Sequence, residues 1–430
     1  MRNRPVAVAV ALAALLAPAA AVAANHPTFD VETATRAYLA LLQGPARAKS
    51  DAYFEGGYWL PLWGTLVAVV IYLLMLRSGL SARFRDVAER LAPWRWLVPA
   101  LYAVPFVITS TLLTLPWTIW SDFVRERHYG LMSQSFSAWL GEQAIGLGVA
   151  IIVNALLLVA LFAVIRRFRR TWWLWGAATT SAFLVFGLLL GPVFIAPLFN
   201  TYTELPAGPI RDRIVAMATA SHIPAEHIYL FDASKQTKRI SANVSGIGPT
   251  IRISLNDNLL NRTGPDEIAA VMGHEMGHYV IGHIERALLI ITLALFAGFW
   301  ILQRIIPGIL ARYGARWGVR DVADPAVLPL LALLGAVTGL ILTPALNTLT
   351  RVQESQADAF GLSVAHEPDG FAKVAMRLSE YRKIEPGPIE EMLFFDHPSG
   401  ATRVRMAMQW KKDHVPGATM VTPALKLDGQ

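Results

Sequence analysis

The sequence predicts a mainly α protein: a polytopic transmembrane helical bundle carrying a small α+β domain that two membrane helices divide. Three observations predict it. Of the 430 residues, 54% are hydrophobic and 16% charged, against about 25% charged in a typical soluble domain. Six apolar runs are long enough to cross about 30 Å of hydrocarbon; they lie near 59–76, 96–117, 145–165, 172–198, 287–303 and 327–346. Two other stretches, 200–286 and 350–430, are polar enough for water.

The chain opens with a positive stretch (Arg2, Arg4), an apolar core over 6–16 and the small residues Ala21, Val22 and Ala23. That order predicts a signal peptide over 1–24, with an uncleaved signal anchor as the alternative. Either one exports the segment 25–57 that follows. Residues 58–199 then hold four spans. Trp94, Trp96, Trp117, Trp120, Trp172 and Trp173 stand at their ends, where amphipathic rings favour the membrane interface. Pro99, Pro105, Pro192 and Pro197 fall in or near the runs, and neighbouring helices can absorb such kinks. In 200–286, the stretches 227–234, 239–246 and 250–257 alternate like short strands, and 246–249, Gly-Ile-Gly-Pro, supplies a turn. A helix is expected from Pro265. Gly264 can cap it, proline suits the first position, and Asp266 and Glu267 complement the positive end of the dipole.

The net charge of +7 raises nucleic-acid binding as a function. The arginines, however, cluster at the ends of apolar runs, as topology signals do, so no nucleic-acid partner is expected. With no cysteine in the chain, disulfides and thiolate-held zinc are excluded. Any metal must sit on His, Asp or Glu.

The stretch 271–290, VMGHEMGHYVIGHIERALLI, sets its metal-friendly residues directly against an apolar run. His274 and His278 are four apart, so they project from one helical face and can share an ion. With Glu275 between them they form HExxH, which suits a zinc hydrolase whose Glu acts as general base. A catalytic zinc takes three protein ligands and keeps one open position. His283 is one candidate for the third ligand. On a continuous helix, though, it lies about 140° around from His278, which favours a supporting or interface place. The stronger candidate is Glu354, in TRVQESQADAF (350–360) at the end of the sixth run. Asp358, one turn on, can hydrogen-bond a ligand histidine and fix its tautomer. Further along, FFDHPSGATRVRM (394–406) offers His397 and Arg403. These can stabilise an oxyanion, or the stretch can simply open a helix after Pro398.

The ordered set of motifs resembles the type I CAAX prenyl endoprotease family, multi-pass zinc metalloproteases related to the bacterial membrane protease HtpX. The resemblance runs through FVRERHYGL (123–131), FIAPLFNTYTEL (194–205), SANVSGIGPTIRISLNDNLL (241–260), HEMGHYVIGH (274–283), TRVQESQAD (350–358) and HPSGATR (397–403). It implies a zincin-like α+β metalloprotease domain split into 200–286 and 350–430 by the two spans within 287–349. It implies one Zn2+ per chain on His274, His278 and Glu354, with Glu275 as base, Asp358 behind a ligand, and His397 and Arg403 near the oxyanion. It also implies that Ser241, Ala242, Asn243, Val244, Ser245 and Gly246 pair with an extended peptide or protein substrate. Where the family commonly has Asn-Ala, this chain has Ser241-Ala242. A catalytically silent membrane chaperone using the same cleft is the alternative, which an intact Glu275 disfavours.

Topology departs from the eukaryotic pattern. Counting spans from an exported residue 25 puts the arginine-rich loops near 77–95, 166–170 and 304–326 inside, while 118–144, with only Arg125 and Arg127 as arginines, lies outside. Both polar stretches then face outward, into the periplasm if the membrane is a bacterial inner membrane. Exported or membrane-associated proteins are therefore expected as substrates rather than cytosolic prenylated ones.

Overall fold

The computed structural model describes residues 29–224, 227–246 and 251–425. The expected signal peptide lies outside the described residues, as does most of the expected 246–249 turn. Among them, six helices are long and apolar enough to cross a membrane: Gly44–Arg77, Arg95–His128, Phe136–Arg167, Trp172–Leu198, His283–Trp317 and Pro325–Ala365, here the first to sixth spanning helices. Each contains one of the six apolar runs and most continue beyond it, because backbone hydrogen bonding carries a helix out of hydrocarbon where hydropathy stops. The second passes through a π-helical turn at Ile119–Val124, and the sixth keeps α geometry over Leu328–Ala365. Pro105, Pro116, Pro307 and Pro344 lie inside helices. The bundle core gathers Leu76, Tyr102, Leu158, Phe162, Ile306 and Val327. Facing outward are residues such as Leu293 and Ile341, the latter 71% exposed, which only a lipid solvent makes cheap.

The polar segments gather at one end of this bundle. Four strands, β1 (Tyr202–Glu204), β2 (Ile228–Phe231), β3 (Ala242–Ser245) and β4 (Arg252–Asn256), form one sheet in the order β1-β2-β4-β3. β2 and β4 run parallel, and the two outer pairs run antiparallel. Ile228, Ile253 and Leu255 from the sheet pack against Met272 and Met276 from the HExxH helix. The N-terminal helices join the same end: Tyr38 and Leu42 pack with Phe371 and Met408, and the Tyr38 hydroxyl donates to Asp369 at 2.8 Å. At the opposite end, Arg85 pairs with the buried Asp324 at 2.5 Å.

Candidate active site

The HExxH helix spans Pro265–Ile281, with Gly264 as its N-cap. The Gly264 N–H donates to Glu267 Oε2 at 2.9 Å, so the first-turn acid satisfies the helix entry. The helix stops at Gly282, whose φ of +73° is a left-handed conformation that glycine adopts without Cβ strain. His283 then opens the fifth spanning helix. Ligand helix and membrane helix are thus two helices meeting at a bend, and the apolar run can follow the polar motif without dragging it into lipid.

The sixth spanning helix crosses the HExxH helix at very short range. A Cβ on Gly273 would meet Gly361 O at 2.9 Å, one on Gly277 would meet Ala357 Cα at 3.1 Å, and one on Gly361 would meet His274 N at 2.7 Å. This crossing brings Glu354 and Asp358 beside the two histidines. His274 Nε2 and His278 Nε2 are 3.1 Å apart. Glu354 Oε2 is 3.2 Å from the first, and Glu354 Oε1 is 3.3 Å from the second. Ligand atoms on a tetrahedral ion with bonds of about 2.0–2.1 Å stand about 3.3 Å apart. Each of these separations is near that value, the carboxylate facing the two nitrogens with different oxygens, and one ligand atom from each residue can be chosen so that all three lie within 4.8 Å of one another. Glu354 Oε2 is moreover a buried oxygen with no hydrogen-bond partner among the described residues, a condition a cation would relieve. The residues fit a divalent metal.

Further contacts set the tautomers. With Nε2 turned to the cluster, His274 Nδ1–H donates to Asp358 Oδ1 at 2.7 Å. His278 Nδ1–H is free to donate to His283 Nδ1 at 3.0 Å, and His283 Nε2–H to Gln356 Oε1 at 3.0 Å. His283 therefore sits behind His278, buried, rather than in the cluster; it reaches there because the chain bends at Gly282. Arg403 is buried and donates from Nε to Asp358 Oδ2 at 2.9 Å and from Nη2 to Asp358 Oδ1. His397 Nε2 lies 3.3 Å from Glu354 Oε2, and its Nδ1 is 2.8 Å from Asp396 Oδ1.

A cavity of about 210 Å³ opens onto this cluster. Glu275, His397, Arg403 and Arg382 line it together with Ser241 and Ala242. Burial pushes the Glu275 carboxyl up, a shift that His274 and His278 oppose and Glu354 reinforces, which is the direction a general base near neutrality needs. Of the expected substrate strand, Ala242, Asn243, Val244 and Ser245 form β3, Ser241 precedes it and Gly246 follows it. Among the described residues β3 is the last strand in the sheet order, and its outer edge pairs with no other strand. Sequence reasoning missed Gln356, Asp396 and Arg382. The first two sit beside residues already chosen, but nothing in their spacing distinguishes them from ordinary polar positions.

Residues 204–411 match peptidase family M48, and residues 42–201 match the CAAX prenyl protease N-terminal region, described as five membrane helices. The chain belongs to family M48. Relatives include the metalloprotease YhfN of Bacillus subtilis, 29% identical over 80% of this chain and 81% of its own. The CAAX prenyl protease 1 homologs of Arabidopsis thaliana and Homo sapiens are each 25% identical, covering 83% and 85% of this chain and 86% and 85% of theirs. The fold matches the crystal structure of S. mikatae Ste24p with a TM-score of 0.72 at 20% identity, over 88% of this chain and 96% of that one. This M48 protein is a multi-pass membrane metalloprotease that hydrolyses peptide bonds. Within 42–201 it carries four helices of spanning length among the described residues.

Proposed function

We propose that this M48 protease is a zinc endopeptidase that cleaves exported or membrane-associated proteins in extended form. One Zn2+ per chain is held by His274, His278 and Glu354, and it supplies Lewis acidity to the substrate carbonyl. Glu275 takes the proton of the attacking water. Asp358 and the His283–Gln356 pair hold the ligand histidines in one tautomer. His397, within the same cavity, meets charge developing on the tetrahedral oxygen. Arg403 acts mainly through Asp358, which it grips with two donors. The free edge of β3 offers backbone groups to a substrate strand.

The observation that carries this reading is the cluster of His274 Nε2, His278 Nε2 and the Glu354 carboxylate, in which the two nitrogens are 3.1 Å apart and each lies 3.2 or 3.3 Å from one carboxylate oxygen. Metal analysis of the purified protein is expected to give one zinc per chain. His274→Ala and Glu354→Ala are expected to lose it, whereas His283→Ala keeps it. Loss of zinc in His283→Ala with retention in Glu354→Ala would overturn the ligand set. Peptide cleavage by the zinc-loaded protein separates the protease from a silent chaperone.

The catalytic end is assigned to the outer face of the membrane, the periplasmic face of a bacterial inner membrane. The helices Val31–Leu39 and Gly44–Gly57, the sheet and the C-terminal helices pack together at that end, while Arg83, Arg85, Arg166 and Arg316 stand toward the other. Arginine in short loops marks the cytoplasmic side. A C-terminal alkaline phosphatase fusion is expected to be active and a C-terminal GFP fusion dark. A bright GFP fusion reverses the orientation and makes cytosolic substrates the better assignment.

A further inference from the structure

A second large cavity, about 660 Å³, lies at the end of the bundle away from the metal cluster. Arg95, from the start of the second spanning helix, and Arg166, from the last turn of the third, line it with Arg169, Arg320, Glu89, Asp321 and Asp324. Each carboxylate has its own arginine. Glu89 takes Arg320 at 2.6 Å, Asp321 takes Arg169 at 3.1 Å, and the buried Asp324 takes Arg85 at 2.5 Å. Arg95 and Arg166 are left over. Arg166 donates from Nη1 to the Arg95 carbonyl at 3.1 Å and makes no direct ion pair among the described residues. Arg95 has no side-chain partner among the described residues. Both guanidinium groups line the same cavity.

The position decides what neutralises them. Trp94 and Trp96 flank Arg95, 61% and 55% exposed, stacked with ring centroids 6.1 Å apart. Exposed, paired tryptophans at a helix start mark the headgroup level of a bilayer. The apolar part of the lining, Ala92, Pro93, Val98 and Pro325, is contributed beside the same arginines. A phosphodiester at that depth meets two unpaired guanidinium groups, while its glycerol and upper acyl carbons meet the apolar wall.

We propose that this cavity binds the phosphate headgroup of an anionic phospholipid, between Arg95 and Arg166. The site is separate from the catalytic cavity and does not depend on the zinc assignment. Free phosphate carries the same chemistry, and the test separates the two sources. Delipidated full-length protein in neutral detergent is titrated with phosphatidylglycerol, phosphatidylcholine or inorganic phosphate, and bound adducts are counted by native mass spectrometry. Wild type is expected to bind phosphatidylglycerol more tightly than phosphatidylcholine. The double variant Arg95→Gln/Arg166→Gln is expected to lose about thirty-fold in phosphatidylglycerol affinity with phosphatidylcholine binding unchanged. Arg95→Lys/Arg166→Lys keeps most of the preference. Arg312→Gln, a change at the same end outside the cavity, keeps all of it. Wild-type phosphatidylglycerol binding by the Gln pair, or an equal loss in Arg312→Gln, overturns the site. Displacement of the lipid by an equal concentration of inorganic phosphate overturns the lipid as its ligand.

Discussion

Glu275→Gln is expected to keep full zinc content and lose cleavage by a factor of about 10²–10⁴, the range over which general-base removal acts. Glu275 lines the catalytic cavity beside the ligand cluster without belonging to it, so the metal has no reason to leave. Gln has the same shape but cannot take a proton from the attacking water. Stability gives an independent readout. Burial disfavours the charge on Glu275 and holds its pKa above the ordinary carboxylate value. Above that pKa the folded state bears the cost of a desolvated charge, and a neutral Gln removes it. In the metal-free protein, the variant's Tm at neutral pH is therefore expected to equal or exceed that of wild type. Near-normal turnover in a preparation free of other proteases would remove Glu275 as the base.

The parts of the fold that hydropathy dictates were legible in the sequence. Twenty-odd apolar residues have no stable alternative to a spanning helix in lipid, and all six runs are such helices. HExxH was legible because helical spacing by itself puts His274 and His278 on one face. Their meeting with Glu354 was not: ligand atoms from residues eighty positions apart come within 3.3 Å only through a tertiary crossing. The signal for that crossing was present and unused. Gly273 and Gly277, and Ala357 and Gly361, are two small pairs four residues apart, the pattern that lets helix backbones approach closely.

Other features left no such trace. β1, Tyr202–Glu204, is three residues long, too short for alternation to register. The helix Pro209–Ala220 follows a Gly-Pro pair that can start a helix, but its face is only weakly patterned. The angular argument about His283 assumed one continuous helix. The bend at Gly282 replaces that geometry and leaves His283 against His278 Nδ1 for a different reason. Arg403 was expected near an oxyanion. It lines the cavity, and its Nε and Nη2 also donate to Asp358, a partner that only the packed structure reveals.

Gly361→Ala is expected to strip the metal without touching a ligand. A Cβ there falls 2.7 Å from His274 N and 3.0 Å from His274 Cα, both backbone atoms within the HExxH helix, so no rotamer change can make room. The two helices must part. Overpacking of this kind costs about 1–3 kcal/mol, and the displacement acts where tolerance is smallest. Metal bonds hold to within about 0.2 Å, whereas relieving a 2.7 Å contact needs roughly 1 Å of separation. Glu354 and Asp358 ride on the displaced helix, so the ligand cluster and the Asp358–His274 bond open together. Gly339→Ala is the control. It lies on the same helix with nothing within 4 Å of its would-be Cβ, and alanine is the better helix former by about 1 kcal/mol. The expected outcome is lowered Tm and zinc well below one per chain for Gly361→Ala, against wild-type zinc and equal or higher Tm for Gly339→Ala. Full zinc and an unchanged Tm in Gly361→Ala would mean that the small-residue crossing does not set the ligand geometry.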